Sequence, residues 1–315
     1  MPRSPAARTS IRYSLLLRAF LIVVLALGVF AATTYHFVVA PGIDRLAETQ
    51  MKQTAGEMEA RVRRLLASVE VTLRISRRWG ANGDLNLDEL QRFNEFFIPV
   101  IEQHPEVSSA IFAHESGREI FLLLGPDGKW TNRISYPDHW GRNTYWISWG
   151  PGRVIEKVDV REQDYDARTR PWFKGAMALE RDEDIHWTAP YIFYTSKEPG
   201  VTAASRWTAA DGSRYVIAHD VRLLDLSHFT RQLTAGPRGV GMLLDDRGNV
   251  VGVPRDPHFA SDEAIKQVVL QPLDKIGLPA LTAGFASWSA AAAARSSLAG
   301  RSGTTLCGLQ LESWW

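Results

Sequence analysis

The densest set of chemically capable side chains in this sequence is Tyr165-Asp166-Ala167-Arg168-Thr169-Arg170-Pro171-Trp172-Phe173-Lys174-Gly175-Ala176. Arg170 offers a planar fork of donors that matches a carboxylate or a phosphate. Trp172 and Phe173 can enclose an apolar or planar ligand group, and Tyr165 adds a hydroxyl at a ring's edge. Further along, Asp220 ends an apolar run and can hold a ligand cation. A plainer assignment pairs Arg170 with Asp164 or Asp166 in a loop and uses Trp172 as core filling.

Other chemistries find less support. There is no HExxH metal pair, no Gly-x-Ser-x-Gly elbow and no phosphate loop. His114-Glu115 lacks a second His at the right distance, and the adjacent His219 and Asp220 face opposite ways on a strand. Scattered acids still leave room for a glycosidase-type pair. Asp84, Asn86, Asp88 and Glu95 imitate the spacing of a calcium loop, but Glu89 stands where that loop needs Gly. The lone Cys307 excludes an intramolecular disulfide framework and any Cys-rich zinc site. No metal and no cofactor are expected. A formal net charge of +1 gives no electrostatic argument for a nucleic-acid partner. With 45% hydrophobic and 23% charged residues, the chain has the composition of a folded protein. Seven of its eleven Trp lie between Trp130 and Trp207, where they can build core or ligand walls.

The elements that must position these residues begin at an apolar run. Residues 19–40 carry no formal charge; as a helix they extend about 33 Å, enough to cross a bilayer core of about 30 Å. Arg3, Arg8, Arg12 and Arg18 precede it without an acid, which places residues 1–18 in the cytoplasm and everything after residue 40 outside. A cleaved signal peptide is the competing reading, tested by a mature mass starting near Thr33. After a slight break at Pro41-Gly42, apolar residues from Ile43 through Met58, Val62, Leu66, Val69 and Leu73 predict a long stalk helix over 43–79. It is suited to packing along a domain or against its counterpart in a homodimer. The run Leu90, Phe93, Phe96, Phe97 and Val100 predicts a second helix.

Beyond Pro105 the period becomes that of strands, expected at 107–114, 118–124, 131–135, 188–195, 201–207 and 215–221. Gly125-Pro126-Asp127-Gly128 and Asp211-Gly212 mark turns, and the Trp-rich stretch between 135 and 188 is less regular. A helix over 223–233 precedes a second hairpin, 239–245 with 249–253 around Asp246-Arg247-Gly248. From 290 the sequence is low in complexity and expected to be poorly ordered, apart from one closing strand at 304–312. The order is that of an α+β protein.

The motif Tyr165, Arg170, Trp172 and Phe173 resembles that of the double Cache family of bacterial extracytoplasmic sensors. Trp187 to Tyr191, 201–205 and 215–221 fall in the family's order, so the likeness covers about 21–253. The resemblance implies a transmembrane helix, a stalk helix and two PAS-like antiparallel-sheet lobes, the second smaller and incomplete. Residues 80–235 would form the membrane-distal, ligand-binding lobe and 236–315 the membrane-proximal one. The implied role is the sensor portion of a bacterial inner-membrane receptor, periplasmic, not itself an enzyme, and cut before its output domain. The ligand-binding set it implies is Tyr165, Arg170, Trp172, Phe173, Tyr191 and Asp220. Members that bind amino acids add carboxylates for the ammonium group; here Gly175 and Phe193 stand in two of those places and only Asp220 matches. A small carboxylate is therefore the expected partner, ahead of an amino acid or amine. The rival functions are a membrane-tethered extracytoplasmic enzyme and a structural dimerisation module.

Overall fold

The structure, a computed structural model, describes residues 11–125, 128–233 and 240–298. Arg3, Arg8, Pro126-Asp127, Gly239, Cys307 and the expected closing strand 304–312 lie outside these residues. The chain divides into two compact units, Met1–Ala55 and Gly56–Trp315.

In the first unit, helix α1 (Ile11–Thr34) runs into a π-helical stretch, Tyr35–Val39, and on into α2 (Ala40–Ala81). The segment Tyr13–Val39, with mean hydropathy 2.7, is long and apolar enough to cross a membrane. The expected break at Pro41-Gly42 is absent, because α2 continues through both residues. A proline gives no N–H to the carbonyl four residues back, and residue 37 falls inside the wider π turn. The stalk helix is accordingly longer than the 43–79 expected.

In the second unit, the buried stripe of α2 is Val62, Leu66, Val69 and Leu73, the stripe expected from helical spacing. Gly80 closes its buried face where a Cβ would collide with the Trp207 ring. Helix α3 (Leu90–Gln103) packs beside it through Phe93, Phe97, Ile98 and Ile101.

Both helices cover one face of a nine-stranded sheet. Its strands are β1 (Ser109–His114), β2 (Glu119–Leu124) and β3 (Trp130–Ser135), then, after the single turn α4 (Pro137–Trp140), β4 (Asn143–Trp149) and β5 (Ile155–Glu162). Helix α5 (Pro171–Met177) leads to β6 (His186–Trp187), β7 (Tyr191–Ile192), β8 (Pro199–Thr208) and β9 (Arg214–Arg222). The order is β5-β4-β3-β2-β1-β9-β8-β6, with β7 also on β8, and every pairing is antiparallel.

Two expectations are corrected. The span 188–195 is not one strand: Pro190 cannot donate to a ladder, and only Tyr191–Ile192 pairs. The Trp-rich stretch holds an unforeseen hairpin, β4–β5. Strand β5 is the sheet's edge, and nearly every residue on it is exposed, so the short alternation of Val158 and Val160 with Lys157, Asp159 and Arg161 faces no core.

Helix α6 (Leu223–Gln232) follows β9 as expected. It packs on the small sheet of β10 (Leu243–Leu244) and β11 (Val250–Gly252), whose turn places Gly248 at φ 78°. Helix α7 (Asp262–Val268) starts from a Ser261 cap, and α8 (Pro279–Leu298) occupies part of the segment expected to be irregular.

Candidate functional site

Side chains alternate across a strand, so consecutive residues of β9 serve different neighbours. Ile217, His219 and Val221 face α2 and α3, while Val216, Ala218 and Asp220 face the other side. On that second face, α5 and the 165–170 loop press Trp172, Phe173, Ala176 and Ala167 against Ile111, Phe121 and Ala204. Pro171 suits the first turn of α5, and Asp166 caps the short turn before it by accepting from the Arg168 N–H.

Between sheet, α5 and the loop joining β7 to β8 lies a cavity of about 20 Å³, room for about one water molecule. Tyr165, Arg170, Trp172, Tyr191 and Asp220 all line it. Phe173 does not: it is buried, touches the Trp172 ring edge-on at 5.6 Å, and lines a separate shallow groove with Arg168 and Lys174. The loop contributes Phe193, Tyr194, Thr195 and Ser196, so it forms one wall.

Arg170 does not pair with Asp166. That carboxylate is taken by Arg168, at 2.7 Å, which holds it below the usual carboxylate range against the opposing effect of burial. Among the described residues Arg170 has no ion pair. It donates to the Ile192 carbonyl at 3.2 Å, and its guanidinium lies 5.4 Å from the Tyr191 ring. Trp172 is both core and wall, being 2% exposed and part of the lining.

Asp220 is buried, and each of its oxygens accepts one hydroxyl. Ser109 donates to Oδ2 and Thr202 to Oδ1, each at 2.6 Å, and the Tyr191 hydroxyl meets Thr202 at 2.7 Å. Burial pushes the Asp220 carboxyl up to about 6, against the pull of those two hydroxyls and Arg133. Burial likewise raises Tyr191.

Arg133 on β3 and Glu119 on β2 were not expected in the site. They form a buried ion pair at 2.6 Å, with exposures of 2% and 0%. Tyr165 donates to the other Glu119 oxygen, and its ring lies 3.7 Å beneath the Arg133 guanidinium. Burial raises Tyr165 well above its ordinary value. Burial alone would lower Arg133, but Glu119 holds it above its usual value. The sequence carried little signal, since Glu119 opens its strand after Gly117-Arg118 and Arg133 follows the polar pair Thr131-Asn132; the register Arg133↔Phe121 and Ser135↔Glu119 sets the two diagonally.

Gly175 has a structural cause. A Cβ there would collide with the His186 imidazole, so the ring occupies the space that an acid's side chain would need. Phe193 is buried against Tyr191 and Gly200. Among the described residues no three His, Cys, Asp or Glu side chains gather as a metal would require.

No family model and no curated protein matches the chain. Several solved structures do. The ligand-binding domain of the Campylobacter jejuni chemoreceptor Tlp3, in complex with 4-methylisoleucine, is 14% identical over 66% of this chain and 70% of that one, with a TM-score of 0.43. The ligand-binding domain of the Pseudomonas fluorescens chemoreceptor CtaA, in complex with L-isoleucine, is 14% identical over 76% and 77%, with a TM-score of 0.43. The ligand-binding domain of Mlp24 with asparagine is 14% identical over 76% and 81%, with a TM-score of 0.47. In backbone arrangement this chain is similar to these sensory and ligand-binding domains.

Proposed function

We propose that this chain is the ligand-binding sensor portion of a bacterial membrane receptor, and that it recognises a small carboxylate at the partly open cavity beside α5, which has room for about one water molecule in this structure and must widen to admit the ligand. The observation that carries this reading is Arg170: a half-buried guanidinium on the wall of a partly open, aromatic-lined cavity, without an ion pair among the described residues. A carboxylate supplies the bidentate partner that such a group lacks. An ammonium group is served less well. Gly175 and Phe193 offer it no acceptor, which leaves Asp220 as the one carboxylate among the described lining residues. Residues 80–235 act as the recognition lobe and 236–315 as the membrane-proximal lobe in this reading. The apolar Tyr13–Val39 segment is the anchor, with the amino terminus cytoplasmic and the sensor outside. Val71 and Ile75, 57% and 46% exposed and one turn apart on α2, support a homodimer through that helix.

The test is a thermal-shift series on the full chain in detergent with propionate, alanine and choline. Propionate is expected to raise the melting temperature as binding to the folded state requires, and Arg170→Ala to abolish the rise. Absence of any carboxylate-dependent shift would sink the reading. Alanine binding that strengthens as the pH rises through about 6 would replace it with amino-acid recognition, because an ammonium favours the ionised Asp220.

A further inference from the structure

The three arginines among the described lining residues of the cavity, Arg133, Arg170 and Arg222, all hold the segment that joins β7 to β8. Arg133 donates to the Thr195 hydroxyl, Arg170 donates to the Ile192 carbonyl at 3.2 Å, and Arg222 stands 3.7 Å from the Glu198 carboxylate. Between these ties the loop closes on itself. The Phe193 N–H donates to the Glu198 carbonyl at 2.9 Å and the Lys197 N–H to the Phe193 carbonyl at 3.2 Å, with Lys197 turning the chain at φ 59°. Glu198 also reaches outward: its other oxygen meets Lys266 of α7 at 2.8 Å. One carboxylate thus joins an arginine of the cavity wall to a helix of the 236–315 region.

We propose that residues 193–198 form a lid over the cavity, and that Glu198, clasped between Arg222 and Lys266, ties the position of this lid to α7. The proposal rests on the reading of the cavity as a carboxylate site for what enters, but not for the movement itself. A cavity of about 20 Å³ must open before anything larger than water can enter, so one wall has to yield. Strands β1, β2 and β9 are each paired along both edges, and α5 is fixed by the buried Trp172, Phe173 and Ala176. The loop is held mainly by side chains and by the two-residue strand β7, which makes it the wall of lowest local stability. Its release strands no charge. Arg222 keeps both of its bonds to Asp225, at 2.7 and 3.0 Å, and the Lys266 side chain, 42% exposed, can turn to water. Lifting the lid breaks the bond to α7, so a seated α7 opposes opening and an opened lid loosens α7 by the same factor.

The experiment follows alkylation of Ser196→Cys by iodoacetamide in the full chain in detergent, with Cys307→Ser so that a single thiol reports. Ser196 lines the cavity from the loop, so its thiol reacts faster as the lid opens. Lys266→Gln removes one half-exposed partner and should raise the rate about threefold. Glu198→Gln releases both cations and should raise it about tenfold. The two together should be no faster than Glu198→Gln alone, because a single clasp is lost in each case. Lys157→Gln breaks an exposed ion pair on β5, at the other end of the sheet, and should leave the rate unchanged. Isothermal titration with propionate, on the same variants without Ser196→Cys, should show binding tightened by the same factors, since less work goes into lifting the lid. A Lys266→Gln rate equal to the parent's, additive rates in the double variant, or a Lys157→Gln rate as fast as that of Lys266→Gln overturns the clasp. Faster alkylation with propionate binding left at the parent's level overturns the lid as the gate of this cavity. If the rates respond as expected and propionate binds none of the chains, the lid and its clasp stand and the carboxylate reading falls.

Discussion

The two faces of the nine-stranded sheet are made by the same strands and are built on opposite terms. The α2–α3 face is apolar and closed, with Leu73, Phe93, Phe97, Phe112 and Ile217 almost fully buried. Among its few polar residues Asn94 pairs reciprocally with Asn132, and His219 meets Ser76 at 3.1 Å through Nε2, while its buried Nδ1 has no partner among the described residues. The α5 face buries an arginine, a glutamate and an aspartate around a small cavity. Burying charge is expensive and gives little net stability even when paired. One face therefore holds the fold, and the other is polar beyond what folding requires, which supports the proposed recognition site there.

The largest effect that would break this contrast comes from the polar face. Glu119→Ala leaves Arg133 buried without its counter-charge and should lower stability by about 3–5 kcal/mol, read by circular-dichroism melting. A loss below about 1 kcal/mol would mean that water reaches this pair freely. On the apolar face, Leu73→Ala should cost about 3 kcal/mol through its cavity while leaving anion affinity unchanged. A change in affinity would show that the faces do not act separately.

The acid limb of stability sharpens the comparison, because the two faces carry opposite shifts. Burial depresses His219 to about 4, so its protonation favours the unfolded chain, and stability falls as pH drops from 6.5 towards 4. Asp220 is raised to about 6, so the folded chain keeps its proton longer, and stability rises as pH drops from about 6 towards 3.8. Each shift corresponds to about 3 kcal/mol, and in the native protein the two nearly cancel. Asp220→Asn should make the chain more acid-labile than the parent between pH 6.5 and 4, and His219→Gln should make it less so. Urea melts across that range decide it; parallel curves for both variants would discard the assignment. The smallest effect belongs to the edge: Val158→Thr on exposed β5 should change stability by no more than about 0.5 kcal/mol.

Much of this contrast was legible in the residues alone. Helical spacing marked the α2 stripe, because one face of that helix is buried and the others are wet. Strands β1, β2, β8 and β9 were legible as short runs of mainly apolar and small residues, because both of their faces are buried. The Arg170 motif was visible because its residues are close in sequence. Arg133 and Glu119 were not: they lie on two strands, and only the register of those strands makes them a pair. Strand β5 was missed although Val158 and Val160 alternate with Asp159 and Arg161, a short pattern on an edge that nothing covers among the described residues. Phe173 shows the limit of adjacency, since next to Trp172 in sequence it still turns away from the cavity.

The placement of His219 and Asp220 has a mechanical meaning. Asp220 meets the cavity and His219 meets Ser76 of α2, and their Cα atoms are one peptide unit, about 3.8 Å, apart. A molecule that shifts β9 in order to reach Asp220 must carry His219 with it. On the proposed reading, detection on one side of the sheet and leverage on the helix at the other are thus carried by adjacent residues of one strand.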